Sequence, residues 1–206
     1  FIGIGNGLEL PSNAWPRSDL EMMQATINQQ IDAYKENGTP FHTYYMSVSG
    51  HCNYGWSVND MSRKNKDVMD GEEGSETVLA YKASQQELEY ALEYLLEQLD
   101  EAGIADDQII LDPGVGFGKN YEHNLTIIHH LERLCDMGYP VLLATSRKSC
   151  IGQALDLPTD QRVEGTMVTT VMGVLKGAAF VRVHDVKENL RAIRMTQAIL
   201  RDGRNG

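Results

Sequence analysis

Gln108-Ile109-Ile110-Leu111-Asp112-Pro113-Gly114-Val115-Gly116-Phe117-Gly118-Lys119 carries the reading of the fold. It opens as a short continuous apolar run, the pattern of a parallel strand buried on both faces. It ends on an acid, a Pro-Gly turn and a glycine-rich loop. Toward the C-terminus, Leu125, Ile128, Leu131 and Leu134 recur at helical spacing within Leu125 to Met137, and Gly138 marks the stop. Pro140 to Ala144 is the next apolar strand. Val163 to Lys176 is a helix ended by Gly177, Phe180 to Val183 a third strand, and Lys187 to Leu200 an amphipathic helix. The strand starts lie roughly 30 to 40 residues apart. That is the βαβ rhythm of a parallel sheet, either open and doubly wound or closed into a barrel.

Toward the N-terminus, Asp19 to Asn37 reads as a helix with Gly38 as its stop. Ser84 to Ala102 reads as a second, with Ser84 as N-cap and Glu87 three residues on completing a capping box. Strands are expected at Phe1 to Gly5, Phe41 to Val48, Trp56 to Asn59 and Thr77 to Tyr81, seven in the chain altogether. Ser49 to Gly55 is too short for a parallel crossover, which takes about a dozen residues or more. Arg63 to Glu76 has room for one poor helix.

The length, 206 residues, suits a single domain, 1–206. A hydrophobic share of 42% with 23% charged residues is that of a globular protein. No apolar run approaches the ~18 residues of a membrane span, and the start carries no secretory pattern. The chain begins at Phe1 rather than Met, as a fragment, a processed form or an edited chain would. A net charge of −11 argues against a nucleic-acid partner, whose phosphates need clustered Lys and Arg. Cys52, Cys135 and Cys150 are odd in number and far apart, which fits structural thiols in a reducing cytoplasm.

Chemistry-bearing residues stand at the end of each clear strand: Asp112 after the first, Thr145 to Ser149 after the second, Arg182 to Asp185 around the third. In a parallel barrel those ends share one face, and the last two loops often hold phosphate. The pattern predicts an anion site built from Ser146, Lys148, Arg182 and His184 beside a carboxylate. Asp112 beside Pro-Gly could also be a plain turn residue, and Ser146 to Ser149 only a polar cap of the next helix. Arg182 lies within an apolar strand, where a buried guanidinium needs an anion. His184 follows on the same face by the period of two. The glycine loop is not a P-loop, because Pro113 replaces its first glycine and Asn120 its Ser or Thr. Lys119 likewise occupies the last position of a dinucleotide fingerprint.

Three ordered motifs, Asp112 to Lys119, Ser146 to Ser149 with Ile151-Gly152, and Arg182 to Val186, resemble dihydropteroate synthase. The resemblance runs from near Ser84 to Leu200. It implies a TIM (β/α)8-type barrel of folate biosynthesis, incomplete on its N-terminal side. The implied reaction joins 4-aminobenzoate to a hydroxymethyl-dihydropterin pyrophosphate and releases pyrophosphate with Mg²⁺. It further implies a cytoplasmic homodimer without membrane or nucleic-acid partners. Carried over by motif, Asp112, Lys148, Arg182 and His184 are catalytic, and Asn59, Asp112 and Lys148 bind the pterin. Phe117 and Ser149 wall the aminobenzoate pocket, and Ser146, Arg182 and His184 bind the pyrophosphate.

The first half departs from the family pattern. No early Asn for Mg²⁺ is found, so the metal ligands are unassigned. Gly3 and Ser49 stand where acids belong, and Ala144 stands where a glycine is usual. These departures predict weak or absent turnover by this chain. The alternatives are a non-catalytic pterin or anion binder and, less in keeping with the intact second-half loops, a methyltetrahydrofolate methyltransferase.

Overall fold

The structure, a computed structural model, describes residues 3–4, 7–38, 40, 42–51 and 53–203. The chain divides into two compact units, Phe1–Ile104 and Ala105–Gly206. In the first, β1 (Gly3–Ile4) pairs with β2 (Gly7–Leu8) over two residues. Helices make up most of the rest: α1 (Asp19–Asn37), α2 (Asp60–Lys64) and α3 (Glu76–Glu101). Helix α1 begins where Ser18 Oγ accepts the Glu21 N–H at 3.0 Å, with Asp19 and Glu21 in its first turn. It ends at Gly38, whose φ of 67° takes the left-handed conformation while its N–H bonds Tyr34 O. Met23, Ile27 and Ile31, four residues apart, form its buried stripe. Helix α3 packs against α1 and α2, with Ala80, Ala83 and Ala91 wholly buried.

Several expectations for this half are corrected. Thr77 to Tyr81 is not a strand but the opening of α3, because Ser75 caps that helix through the Val78 N–H. Ser84 therefore lies inside the helix, bonds Tyr81 O at 2.7 Å, and forms no capping box with Glu87. Residues 42–48 have no regular secondary structure, and 56–58 form a turn. Phe1, Ile2, Gly5, Phe41 and Cys52, on which other expectations fell, lie outside the described residues.

In the second unit the βαβ order is as read, with shorter strands. Leu111 bridges Val141 in parallel, and β3 (Leu142–Leu143) pairs in parallel with β4 (Phe180–Val181). Three adjacent segments thus run the same way. Their C-terminal ends, at 112, 144 and 182, fall on one edge. Closure into an eight-stranded ring is not among the described pairings. The helix read as Leu125 to Met137 is two, α4 (Tyr121–His129) and α5 (Leu131–Cys135), broken at His130. Gly138 follows at φ 92°. Then come α6 (Ser149–Leu155), α7 (Val163–Leu175) and α8 (Val186–Asp202). The core is the cluster Val115, Ile128, Leu131, Val141, Leu143, Cys150 and Ile151. Helix α7 sits close on the strands at Gly173, where a Cβ would come within 2.8 Å of Leu143 Cδ2.

Candidate anion and pterin site at the strand ends

Asp112 follows directly on the Leu111 bridge. It is exposed, and its carboxylate has partners: Oδ1 accepts the Gly114 N–H at 2.8 Å, and Oδ2 lies 3.8 Å from Arg182 Nη2. Arg182 is not the buried guanidinium expected. Its side chain is 66% exposed, because β4 stops at Val181 and Arg182 stands beyond the strand, tied by its N–H to Leu143 O. The acid and the cation thus meet at neighbouring strand ends, with Arg182 open to solvent.

Ser146 lies between them in the chain and is buried. Its Oγ accepts the His184 N–H at 3.0 Å and pairs with His184 Nδ1 at 2.9 Å. The two loops read as anion-binding are therefore clasped to each other. Lys148 is bent the other way, its Nζ 3.9 Å from the centre of the Phe117 ring, a cation–π contact. Gly116, at φ 83°, leaves the room for this: a Cβ there would fall 2.6 Å from Lys148 Cδ. The glycine loop closes on its own lysine, Lys119 Nζ donating to Gly114 O and Phe117 O at 3.1 and 3.0 Å.

Residues without an assigned role on sequence grounds hold this arrangement. Buried Asn124 accepts the Gly116 N–H at 2.7 Å and donates to Asn120 O. Arg147, at φ 57°, donates two bonds to Asp185, Nη2 to Oδ1 at 2.6 Å and Nε to Oδ2 at 3.1 Å. The Arg147 hydrogen bonds hold the Asp185 carboxyl below its ordinary value against the opposing effect of burial. Both residues sit inside the quoted motifs. The signal was their charge complementarity at matching positions, one after Ser146 and one after His184.

The other predicted site residues are placed as follows. Ser149 opens α6 and lines a cavity of about 560 Å³ with Gly152, Gln153, Asp156 and Arg162; Phe117 does not line it. Asn59 belongs to the first unit. It is wholly buried and caps α2, accepting the Ser62 N–H at 2.8 Å and donating to His51 O at 3.1 Å. Ser49, one of the departures from the family pattern, is also structural: its Oγ accepts the Asp19 N–H, and Asp19 accepts the Val48 and Ser49 N–H groups. A larger apolar cavity of about 650 Å³ lies among the faces of α4, α6 and α7 and contains none of the predicted site residues. Among the described residues no three His, Cys, Asp or Glu side chains converge. A Mg²⁺ ligand set of that kind is thus not provided by them. Burial pushes the thiols of Cys150 and Cys135 up, as for inert structural cysteines.

Residues 56–184 match the model of a family described as pterin binding enzyme. The chain belongs to that pterin-binding family. Within it, the chain is 60% identical over 102 residues to a dihydropteroate synthase of Clostridium beijerinckii, a match covering 49% of this chain and 38% of the relative. It is 52% identical over 103 residues to that of Bacillus subtilis, covering 50% and 36%. The chain thus spans well under half the length of these curated relatives. A dihydropteroate synthase of Yersinia pestis, solved in complex with a sulfonamide drug, aligns over 84% of this chain and 55% of its own at 28% identity and a TM-score of 0.53. Among the described residues no helix is long and apolar enough to cross a membrane.

Proposed function

We propose that this chain carries the pterin and pyrophosphate end of a dihydropteroate synthase, in a barrel of the (β/α)8 type. The observation that carries the reading is the juxtaposition of Asp112 and Arg182 at neighbouring strand ends, with the Ser146–His184 clasp alongside. A pterin presents a ring N–H beside an amino group, and one carboxylate accepts both. In the reaction the methylene C–O bond breaks and pyrophosphate leaves. The cation left on the pterin methylene is attacked by the arylamine nitrogen of 4-aminobenzoate, which then gives up a proton. Asp112 stabilises the developing charge, and exposed Arg182 with His184 receives the leaving pyrophosphate. Lys148 over Phe117 would cover the pterin, and Ser149 would meet the aminobenzoate. In this reading Arg182 exchanges its ion pair with Asp112 for the pyrophosphate, which frees Asp112 for the pterin.

No three His, Cys, Asp or Glu side chains among the described residues converge to hold the Mg²⁺ implied by the resemblance, and its ligands are unassigned. The reading extends to a cytoplasmic homodimer, supported by family membership and by the free thiols Cys135 and Cys150; the acidic charge supports no nucleic-acid partner. Asn59, a pterin contact by the resemblance, would take that role beside its cap of α2. The test is calorimetry with a pterin pyrophosphate on wild type and Asp112→Ala. Binding by the wild type and its loss in the variant are expected, with the circular dichroism unchanged. Equal affinity in the two overturns the assignment. Turnover with both substrates should be slow, since Gly3 and Ser49 replace acids; about 1 s⁻¹ or faster, an ordinary enzyme rate, would overturn that.

A further inference from the structure

We propose that Arg147 and Asp185 are a positioning pair that sets the anion site, an inference that rests on the pyrophosphate reading above. Each is the chain neighbour of a residue assigned to that site: Arg147 lies between Ser146 and Lys148, and Asp185 follows His184. Arg147 stands at φ 57°, a left-handed conformation that a non-glycine residue adopts at a cost. Three anchors hold it there. Its N–H donates to Thr166 Oγ1 at 3.1 Å, its carbonyl accepts Arg162 Nη1 at 3.0 Å, and its guanidinium makes the two-bond fork to Asp185. Thr166 is itself buried and bonds back to Arg162 O at 2.8 Å, so two of the anchors are tied together.

The left-handed turn sends the flanking side chains in different directions, Ser146 inward to His184 and Lys148 toward Phe117. The fork then fixes the second loop against the first at a point adjacent to that clasp. The two planar groups match in geometry as well as charge, which a lysine would not reproduce. Neither residue need touch the anion. Their role is to hold Ser146 and His184 at a fixed separation, so that no ordering of the loops is required when pyrophosphate arrives.

The experiment is calorimetric titration of the full chain with inorganic pyrophosphate. Wild type, Arg182→Ala, Asp185→Asn, Arg147→Lys, and the Arg147→Ala/Asp185→Ala double variant with its two singles are compared below their unfolding midpoints. Arg182→Ala should abolish binding. Asp185→Asn and Arg147→Lys should each weaken it by about tenfold, the loss expected from one charge-assisted fork. The double variant should be no weaker than either alanine single, because both break the same contact. If wild type does not bind, or Arg182→Ala binds as wild type does, the anion reading fails and this inference with it. If Arg182→Ala loses binding but Asp185→Asn and Arg147→Lys retain wild-type affinity, or the alanine losses simply add, the positioning role alone is overturned.

Discussion

The two compact units of this chain solve the burial problem in opposite ways. The second is organised on an apolar cluster, with Val141 and Leu143 of the strands packed against Ile128, Leu131 and Ile151 of the helices. The first buries alanines, methionines and the isoleucines Ile27 and Ile31 between its helices, and with them a set of polar groups: Ser18, Asp19, Ser49, Asn59, Ser62, Asn65, Ser84 and Glu87. Those groups are bonded to one another, to helix ends and to backbone carbonyls within α3. At their centre Glu87 accepts from Ser18, from Lys64 at 2.8 Å and from Asn65 at 3.0 Å. The contrast teaches where sequence motifs survive. The motif loops hang from the apolar strands of the second unit, whereas in the first the acids and amides are absorbed into capping and cross-linking helices.

Removing the apolar anchor of the second unit should have the largest effect. Leu143→Ala should cost roughly 3–4 kcal/mol, the cost of truncating a buried leucine that can collapse only partly. It should be read as a lowered midpoint in urea unfolding of the full chain. A cost near zero would mean that the strands of the second unit are not its keystone.

Glu87 tests the other side. Glu87→Ala should cost roughly 2–4 kcal/mol, less than a fully enclosed pair because Lys64 is partly exposed. The pH dependence carries the sign. Burial raises the Glu87 carboxyl, but the bonds from Lys64, Ser18 and Asn65 outweigh it, and its folded value is lowered. Its stabilisation is therefore complete above the unfolded value of about 4.3 and is lost as pH falls through the folded one. Wild-type stability should fall in that acid window more steeply than that of Glu87→Gln. Parallel pH curves for the two would show that the carboxylate is not what ties these helices.

The smallest effect is the most discriminating for function. Asn59→Ala should cost about 1 kcal/mol through loss of the α2 cap, while Asn59→Asp, which keeps an acceptor for the Ser62 N–H but sets a buried carboxylate oxygen against His51 O, should cost more. If Asn59→Ala stays folded but loses pterin affinity by calorimetry, the family role of Asn59 survives beside the structural one. Unchanged affinity in both variants would leave it as a cap alone.

Much of the site was legible because its signals are local. Three apolar runs each ended on Asp112, on Ser146 to Ser149, or on Arg182 and His184, and their order is confirmed by the parallel pairings. Helix α1 was readable from Asp19 to its stop at Gly38, since its apolar spacing and its end depend on near neighbours in the chain; the cap at Ser18 was not read. The misreadings were of another kind. Ser84 and Glu87 have the spacing of a capping box, yet Ser75 already caps α3, and Glu87 is claimed by groups 22 to 69 residues away in the chain. Arg182 reads as buried only if its strand runs on to Val183.

Family membership, the order of the elements and the candidate site residues could be read along the chain, because motif, capping and apolar periodicity are properties of neighbours in sequence. Tertiary structure alone decided their partners: Asp112 with Arg182, Ser146 with His184, Arg147 with Asp185. The physical reason is that a charged or polar side chain is satisfied by whichever complementary group the fold brings within hydrogen-bond reach. For the Ser146–His184 and Arg147–Asp185 pairs that group lies 38 residues along the chain.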